Sequence, residues 1–171
     1  DVLGGTGNIA LGSGAMGVAL TTGTDNVAIG ENALDAVTSG TDNTAVGDNA
    51  AGATTTGGFN TAIGSDALLV NSTGTYNTAV GHGALDANTT ASNNTAFGAT
   101  ALSANTTGTE NTALGQSALL ALTTGNYNVA VGLQALKTIT TASNNTAVGY
   151  KALDSNTASD NTAVGFDALG A

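Results

Sequence analysis

Few side chains in this sequence are of the types that carry out catalysis. His82 is the only histidine, cysteine is absent, and Lys137 and Lys151 are the only basic residues. Catalysis needs poised acids, bases or nucleophiles held close together, and a lone histidine at a variable turn position is typical of a solvated surface residue. We therefore predict that the protein is not an enzyme, and we assign no catalytic or cofactor-binding residues.

The sequence offers candidate residues for two kinds of ligand, a calcium ion and a sugar. Asp25 and Asp42 occupy equivalent positions of neighbouring repeats, so they are candidates to share a Ca²⁺ ion, although two solvated acids at a turn explain them more simply. Tyr76 and Tyr127 are candidates for stacking on a sugar, but three repeats separate them. Triplets of the Asn-x-Ser/Thr type, which are acceptor sequences for N-glycosylation, begin at Asn71, Asn88, Asn93, Asn105 and Asn144. Such triplets arise by chance in a chain so rich in Asn and Thr, so they carry little weight.

The charge balance excludes several classes of partner. Twelve acids and two bases give the 171 residues a net charge of −10. Binding to nucleic acid depends on Lys and Arg that neutralise phosphates, and binding to anionic membrane surfaces also depends on basic residues. We therefore predict no nucleic-acid partner and no direct contact with a membrane.

A five-residue motif, Asn-Thr-Ala-Val-Gly, recurs along the chain and organises it. Variants of the motif begin at Asn8 and then at Asn26, Asn43, Asn60, Asn77, Asn94, Asn111, Asn128, Asn145 and Asn161. The step from one copy to the next is 18 once, 17 seven times and 16 once, and the extra residue lies around 17–20. A nearly fixed period of this length is typical of solenoid architectures. We predict one solenoid of about ten coils over residues 1–171, as an excerpt of a longer fibre protein.

The pattern within each repeat predicts short strands and no helix. Thr44, Ala45 and Val46 are typical of a strand that Gly47 ends, and a second short strand is predicted around 67–68. The chain contains no Asn-Gly or Asp-Gly pair, which are the strongest signals for tight hairpins. Identical units therefore stack more plausibly as coils of a parallel β-solenoid of the all-β class.

The Asn that opens each motif predicts a polar ladder. A primary amide carries both donors and acceptors, so stacked copies can bond to the coils above and below. A purely local role in a turn is the alternative. The predicted ladder comprises Asn26, Asn43, Asn60, Asn77, Asn94, Asn111, Asn128, Asn145 and Asn161.

The alternation of side chains along the strand predicts two faces. Val46 and its counterparts in the other repeats are always apolar, so we place this Val column inside the coil. The Leu of the following segment can also fill the interior. The core residues that we expect are Val80, Leu85, Phe97, Leu102, Leu114 and Leu119. Ala occupies the opposite face in every copy, and this constant small size indicates close packing against another chain. The predicted oligomer-facing column is Ala28, Ala45, Ala62, Ala79, Ala96, Ala113, Ala130, Ala147 and Ala163.

The unit Asn-Thr-Ala-Val-Gly-x-x-Ala-Leu resembles the head repeats of YadA-type trimeric autotransporter adhesins, and also the related repeats of phage tail fibres. The resemblance covers Asn8 to Leu169, with a longer period here than in the adhesins. It implies a left-handed parallel β-roll with three chains around one axis. It also implies a structural or adhesive role in an extracellular homotrimeric fibre, on a cell surface or a virion, with a host receptor or glycan as a candidate partner.

Two other functions compete with a trimeric fibre. An ice-binding solenoid needs a flat outward array of Thr, and this sequence is rich in Thr. Uncapped coils can also polymerise end to end into a filament. A third alternative, an acyltransferase with a left-handed β-helix, fits this sequence poorly. Such enzymes usually use a catalytic histidine, for which this chain offers only His82, and their coils differ in length from the period found here.

Overall fold

The computed structural model describes residues 6–17 and 21–170. The inserted residue predicted around 17–20 therefore lies largely outside the described residues. The described ranges contain strands and turns but no helix, and so no helix that is long and apolar enough to cross a membrane.

Ten strands of three residues each recur once per repeat. They are β1 Ile9–Leu11, β2 Val27–Ile29, β3 Thr44–Val46, β4 Thr61–Ile63, β5 Thr78–Val80, β6 Thr95–Phe97, β7 Thr112–Leu114, β8 Val129–Val131, β9 Thr146–Val148 and β10 Thr162–Val164. All ten form one sheet in sequence order, and every neighbouring pair is parallel. The predicted all-β parallel β-solenoid, with one coil for each repeat of the sequence, is confirmed.

The register of the sheet places each residue against its counterpart one repeat away. Ala79 pairs with Ala96, and Val80 pairs with Phe97. The glycine after each strand makes this close stacking possible: Gly47 has a φ of 137°, and a Cβ atom there would lie 2.6 Å from the carbonyl carbon of Gly64. Only glycine tolerates both this backbone conformation and this approach, so the corner recurs in every coil.

The predicted second strand around 67–68 is wrong, since this segment is a stack of turns. Asp66 and Leu68 have φ values of 57° and 54°, which lie in the left-handed region and not in the extended one. The Leu of this turn has a positive φ in eight repeats: Leu34, Leu68, Leu85, Leu102, Leu119, Leu136, Leu153 and Leu169. Backbone hydrogen bonds to the next coil stabilise the turn, such as that from Leu68 N to Ala84 O at 2.9 Å.

The interior of the coil is narrow and is filled by small residues and by this Leu. Leu85, Leu102 and Leu119 are fully buried, as predicted, and so are Ala79 and Ala96 of the strands. In contrast, Val80 is only half-buried, and Phe97 and Leu114 are exposed. The placement of the Val column inside the coil is therefore wrong, because the space behind the strand accommodates only Ala.

Candidate functional site

The predicted Asn ladder is present inside the coil. Asn43 donates from its backbone N and its Nδ2 to Oδ1 of Asn26, both at 3.0 Å, and Nδ2 also donates to the carbonyl of Gly57 at 2.9 Å. Equivalent backbone-to-Oδ1 bonds join each predicted ladder residue to the one before it, as from Asn94 to Asn77 at 3.0 Å. Buried amides need such partners, so the ladder ties successive coils together.

A second, shorter Asn ladder was missed by the sequence analysis. Asn88 Nδ2 donates to Asn71 Oδ1 at 2.9 Å, and Asn105 Nδ2 donates to Asn88 Oδ1 at 3.2 Å. All three residues are fully buried, so their Asn-x-Ser/Thr triplets are inaccessible to glycosylation in the folded chain. The sequence signal is that these three residues follow the same period as the main motif, a regularity that composition alone does not produce. At the equivalent position, the preceding coil has Thr54 and the following coil has Leu122, so the second ladder is limited to three residues.

The Ala column is buried inside its own coil. Ala28, Ala45, Ala62, Ala79, Ala96, Ala113, Ala130 and Ala147 are fully buried within the single chain, and Ala163 is 6% exposed. The assignment of this column as oligomer-facing is therefore corrected. Ala is constant because it packs between the strand and the interior of its own coil, where a larger side chain has no space.

The outward face of the sheet instead presents the first and third residues of every strand. We call this surface the strand face; its main members are the column Leu11, Ile29, Val46, Ile63, Val80, Phe97, Leu114, Val131, Val148 and Val164, with Thr at the first position of most strands. Phe97 is 57% exposed and Ile63 is 41% exposed. None of the ten strands contains a charged residue. The strand face is thus a continuous, uncharged strip that includes exposed apolar side chains along the whole sheet.

Aromatic residues border the strand face in two places. Phe59 and Tyr76, which directly precede the ladder Asn, stack with ring centroids 4.9 Å apart and an interplanar angle of 5°. Tyr150 and Phe166, which directly follow the corner glycine, stack at 5.0 Å. Tyr76 therefore pairs with Phe59, and the structure does not bring it together with Tyr127. These exposed rings extend the apolar surface beyond the strands.

The candidate calcium ligands contribute only two carboxylates. Asp25 and Asp42 are both exposed and both have a positive φ. Within residues 6–17 and 21–170, no group of three or more His, Cys, Asp or Glu side chains is placed to hold a metal ion. Calcium binding by Asp25 and Asp42 stays a prediction.

The single histidine belongs to a small surface group of ionisable residues. His82 Nε2 lies 4.0 Å from Asp66 Oδ2. Burial raises the pKa of Asp86, with a smaller contribution from the nearby charge of Asp66, while backbone hydrogen bonds and His82 oppose the shift. Asp86 Oδ1 is buried without a hydrogen-bond partner among the described residues. The arrangement of these three side chains contains no nucleophile with an oriented base of the kind that catalysis requires.

Comparison with known proteins does not add to this description. No protein-family model, curated protein or solved structure matches the chain. The function is therefore inferred from the geometry of the solenoid and its strand face.

Proposed function

We propose that this chain is a structural or adhesive segment of an extracellular homotrimeric fibre, on a cell surface or a virion, in which three copies pack through their strand faces. The observation that carries the proposal is the exposed, uncharged strand face, which runs along all ten strands. Ten strands about 4.8 Å apart and three residues wide make a strip of roughly 45 Å by 10 Å. Soluble monomers rarely expose apolar patches of more than a few hundred Å².

A second copy of the chain suits this face better than another partner does. Each chain carries a net charge of −10, so most surfaces of two copies repel each other. The strand face has no charged residue and allows close contact without opposing like charges. Each coil offers the same pair of outward positions, so similar contacts are repeated along the rod. The number three comes from the resemblance to the YadA-type repeats, and closed rings of copies are common.

In the proposed trimer the contact surface is the strand face, and not the Ala column that the sequence predicted. Leu114 is 38% exposed on the strand face, whereas Ser103 lies on the turn side of the coil and is half-buried. We expect Leu114→Asp to place three carboxylates near the axis and to dissociate the trimer. Ser103→Asp adds the same charge away from the strand face and should leave the mass of the assembly unchanged.

Light scattering coupled to size-exclusion chromatography decides this test, with circular dichroism to show that both variants remain folded. The proposal expects a folded species of one chain, 16.3 kDa, for Leu114→Asp and three chains for Ser103→Asp. Equal masses for the two variants would contradict the strand face as the contact surface.

Ice binding is the second candidate, because the Thr residues of the strands lie on the outward face of the sheet. The Thr of the strands shares a face with Val, and that face is outward, so Thr44, Thr61 and Thr78 point to solvent in register. A flat array of this kind is what an ice-binding solenoid needs. An assay of ice recrystallisation separates the two functions: inhibition by the parent that Thr78→Lys abolishes would favour ice binding over the fibre.

A further inference from the structure

One coil departs from the repeat on the turn side, and the departure leaves a notch in the surface. The coil that begins at Asn43 has Gly52 and Ala53 where the next coil has Leu69 and Val70. The missing side chains open a shallow cavity of about 530 Å³, which we call the Gly52 notch. This volume lies within the range of small-molecule sites, roughly 300–1,000 Å³.

The two sides of the Gly52 notch differ in chemistry. One side carries the exposed carboxylate of Asp35 and the amides of Asn32 and Asn49. The other side carries Leu69 and Val70, of which Val70 is 38% exposed. The floor is Gly52 with Ala53, so a ligand can approach the backbone closely.

The polar side has hydrogen-bonding capacity to spare. Asn32 Nδ2 donates to Asn49 Oδ1 at 3.5 Å, and Asn49 Nδ2 donates to Asp66 Oδ1 at 3.3 Å. Each amide nitrogen carries two protons, and a carboxylate accepts several hydrogen bonds. The second proton of each amide and the oxygens of Asp35 are therefore available to hydroxyl groups of a ligand.

We propose that the Gly52 notch binds a neutral hexopyranose unit of a glycan. A pyranose ring has hydroxyl groups at its edge, which suit Asp35 and the two amides, and apolar C–H groups on its face, which suit Leu69 and Val70. The lining of the notch contains a carboxylate and no cation, so acidic sugars are disfavoured. The inference rests on the proposed adhesive function and gives it a ligand class.

The test uses the full chain and three variants. Gly52→Leu fills the notch with a leucine, which is the native residue at the equivalent position of two other coils, as Leu69 and Leu120. The φ of Gly52 is outside the left-handed region, and a Cβ atom there would lie 3.3 Å from Asn49 O, so the backbone must shift by a few tenths of an ångström to accept a side chain. Circular dichroism and thermal unfolding of Gly52→Leu show whether the variant remains folded. Ser103→Leu introduces the same residue at the equivalent position of another coil and is the matched control. Asp35→Asn removes the charge of the acceptor.

The probes are methyl α-glucopyranoside, methyl α-galactopyranoside and methyl α-mannopyranoside, with a methyl glucuronide as the acidic arm. We expect at least one neutral probe to shift the side-chain amide signals of Asn32 and Asn49 in ¹⁵N-resolved spectra. Gly52→Leu should abolish the shifts, Asp35→Asn should weaken binding about tenfold, and Ser103→Leu should bind as the parent does.

Three results would overturn the inference: no shift with any neutral probe, unchanged binding by Gly52→Leu, or equal binding of the glucuronide. The mass of the same samples separates this inference from the proposed function. Three chains without sugar binding reject the notch alone, whereas a monomer that binds sugar rejects the trimer alone.

Discussion

At the scale of single residues, polar groups inside the coil decide local stability. The long Asn ladder satisfies its amides, but the second ladder leaves a buried polar atom without a partner at each end. Asn105 Oδ1 lies next to the position of Leu122, which has no donor, and Asn105 Oδ1 has no hydrogen-bond partner within the described structure. Thr54 Oγ1, at the other end of this column, is also buried without a partner there. An unsatisfied buried polar group costs roughly 1–3 kcal/mol.

Thr54→Val should therefore stabilise the protein, by about 1 kcal/mol. Val has nearly the shape of Thr, and Val37 already occupies this position one coil earlier. The control is Thr55→Val at the adjacent residue, whose Oγ1 donates to Ser72 O at 3.0 Å, and it should lower stability. Urea unfolding of the two variants measures both effects. A loss of stability in Thr54→Val would show that its hydroxyl is satisfied in solution.

The partly buried carboxylate of Asp86 predicts a dependence of stability on pH. Burial raises its pKa in the folded state, so the folded chain holds this proton more firmly than the unfolded chain does. The associated stability is fully present below the unfolded pKa, and it is lost as pH rises through the raised folded pKa. Asp86→Asn should lack this pH dependence.

Unfolding of the parent and of Asp86→Asn should be compared from acid to neutral pH. We expect the variant to gain stability relative to the parent as the pH rises. Asp35→Asn, in another coil and exposed, is the control. A difference between Asp86→Asn and the parent that is constant with pH would refute the prediction.

At the scale of the strand, the sequence predicted the periodicity but not the direction of the faces. Alternation requires Thr44 and Val46 to share one face and Ala45 to occupy the other. It does not say which face is inside, and side-chain size suggested Val. The turn that follows the strand decides the matter, because its Leu has a left-handed backbone and fills the interior. A left-handed Leu has no sequence signature, since this conformation is unfavourable for residues with a side chain.

Ala96→Leu tests this corrected direction. Ala96 is fully buried inside its own coil, so a larger side chain should lower the stability of the single chain by about 1–3 kcal/mol. Ser103→Leu is the control, because Leu is native at its position in other coils. Thermal unfolding at low protein concentration compares the two. An unchanged midpoint for Ala96→Leu would place the Ala column outside the coil.

At the scale of the whole molecule, the same repeat accounts for both the rod and its exposed face. The constant period of the motif predicted the stacked coils and the Asn ladder, because both depend only on which residues lie above one another. The second ladder was not predicted because no more than three neighbouring coils carry Asn at its position, and the Gly52 notch was not predicted because it arises where one coil departs from the repeat. The strand face joins the coils into one surface, and the proposed trimer requires this surface to pack around a common axis.

Sedimentation equilibrium of the parent over a range of concentrations shows whether three strand faces pack together. We expect a single species of three chains, three times 16.3 kDa, at every concentration where the fold is intact. A mass of one chain would contradict it, and so would a mass that rises without limit with concentration, since the latter is the behaviour of an end-to-end filament.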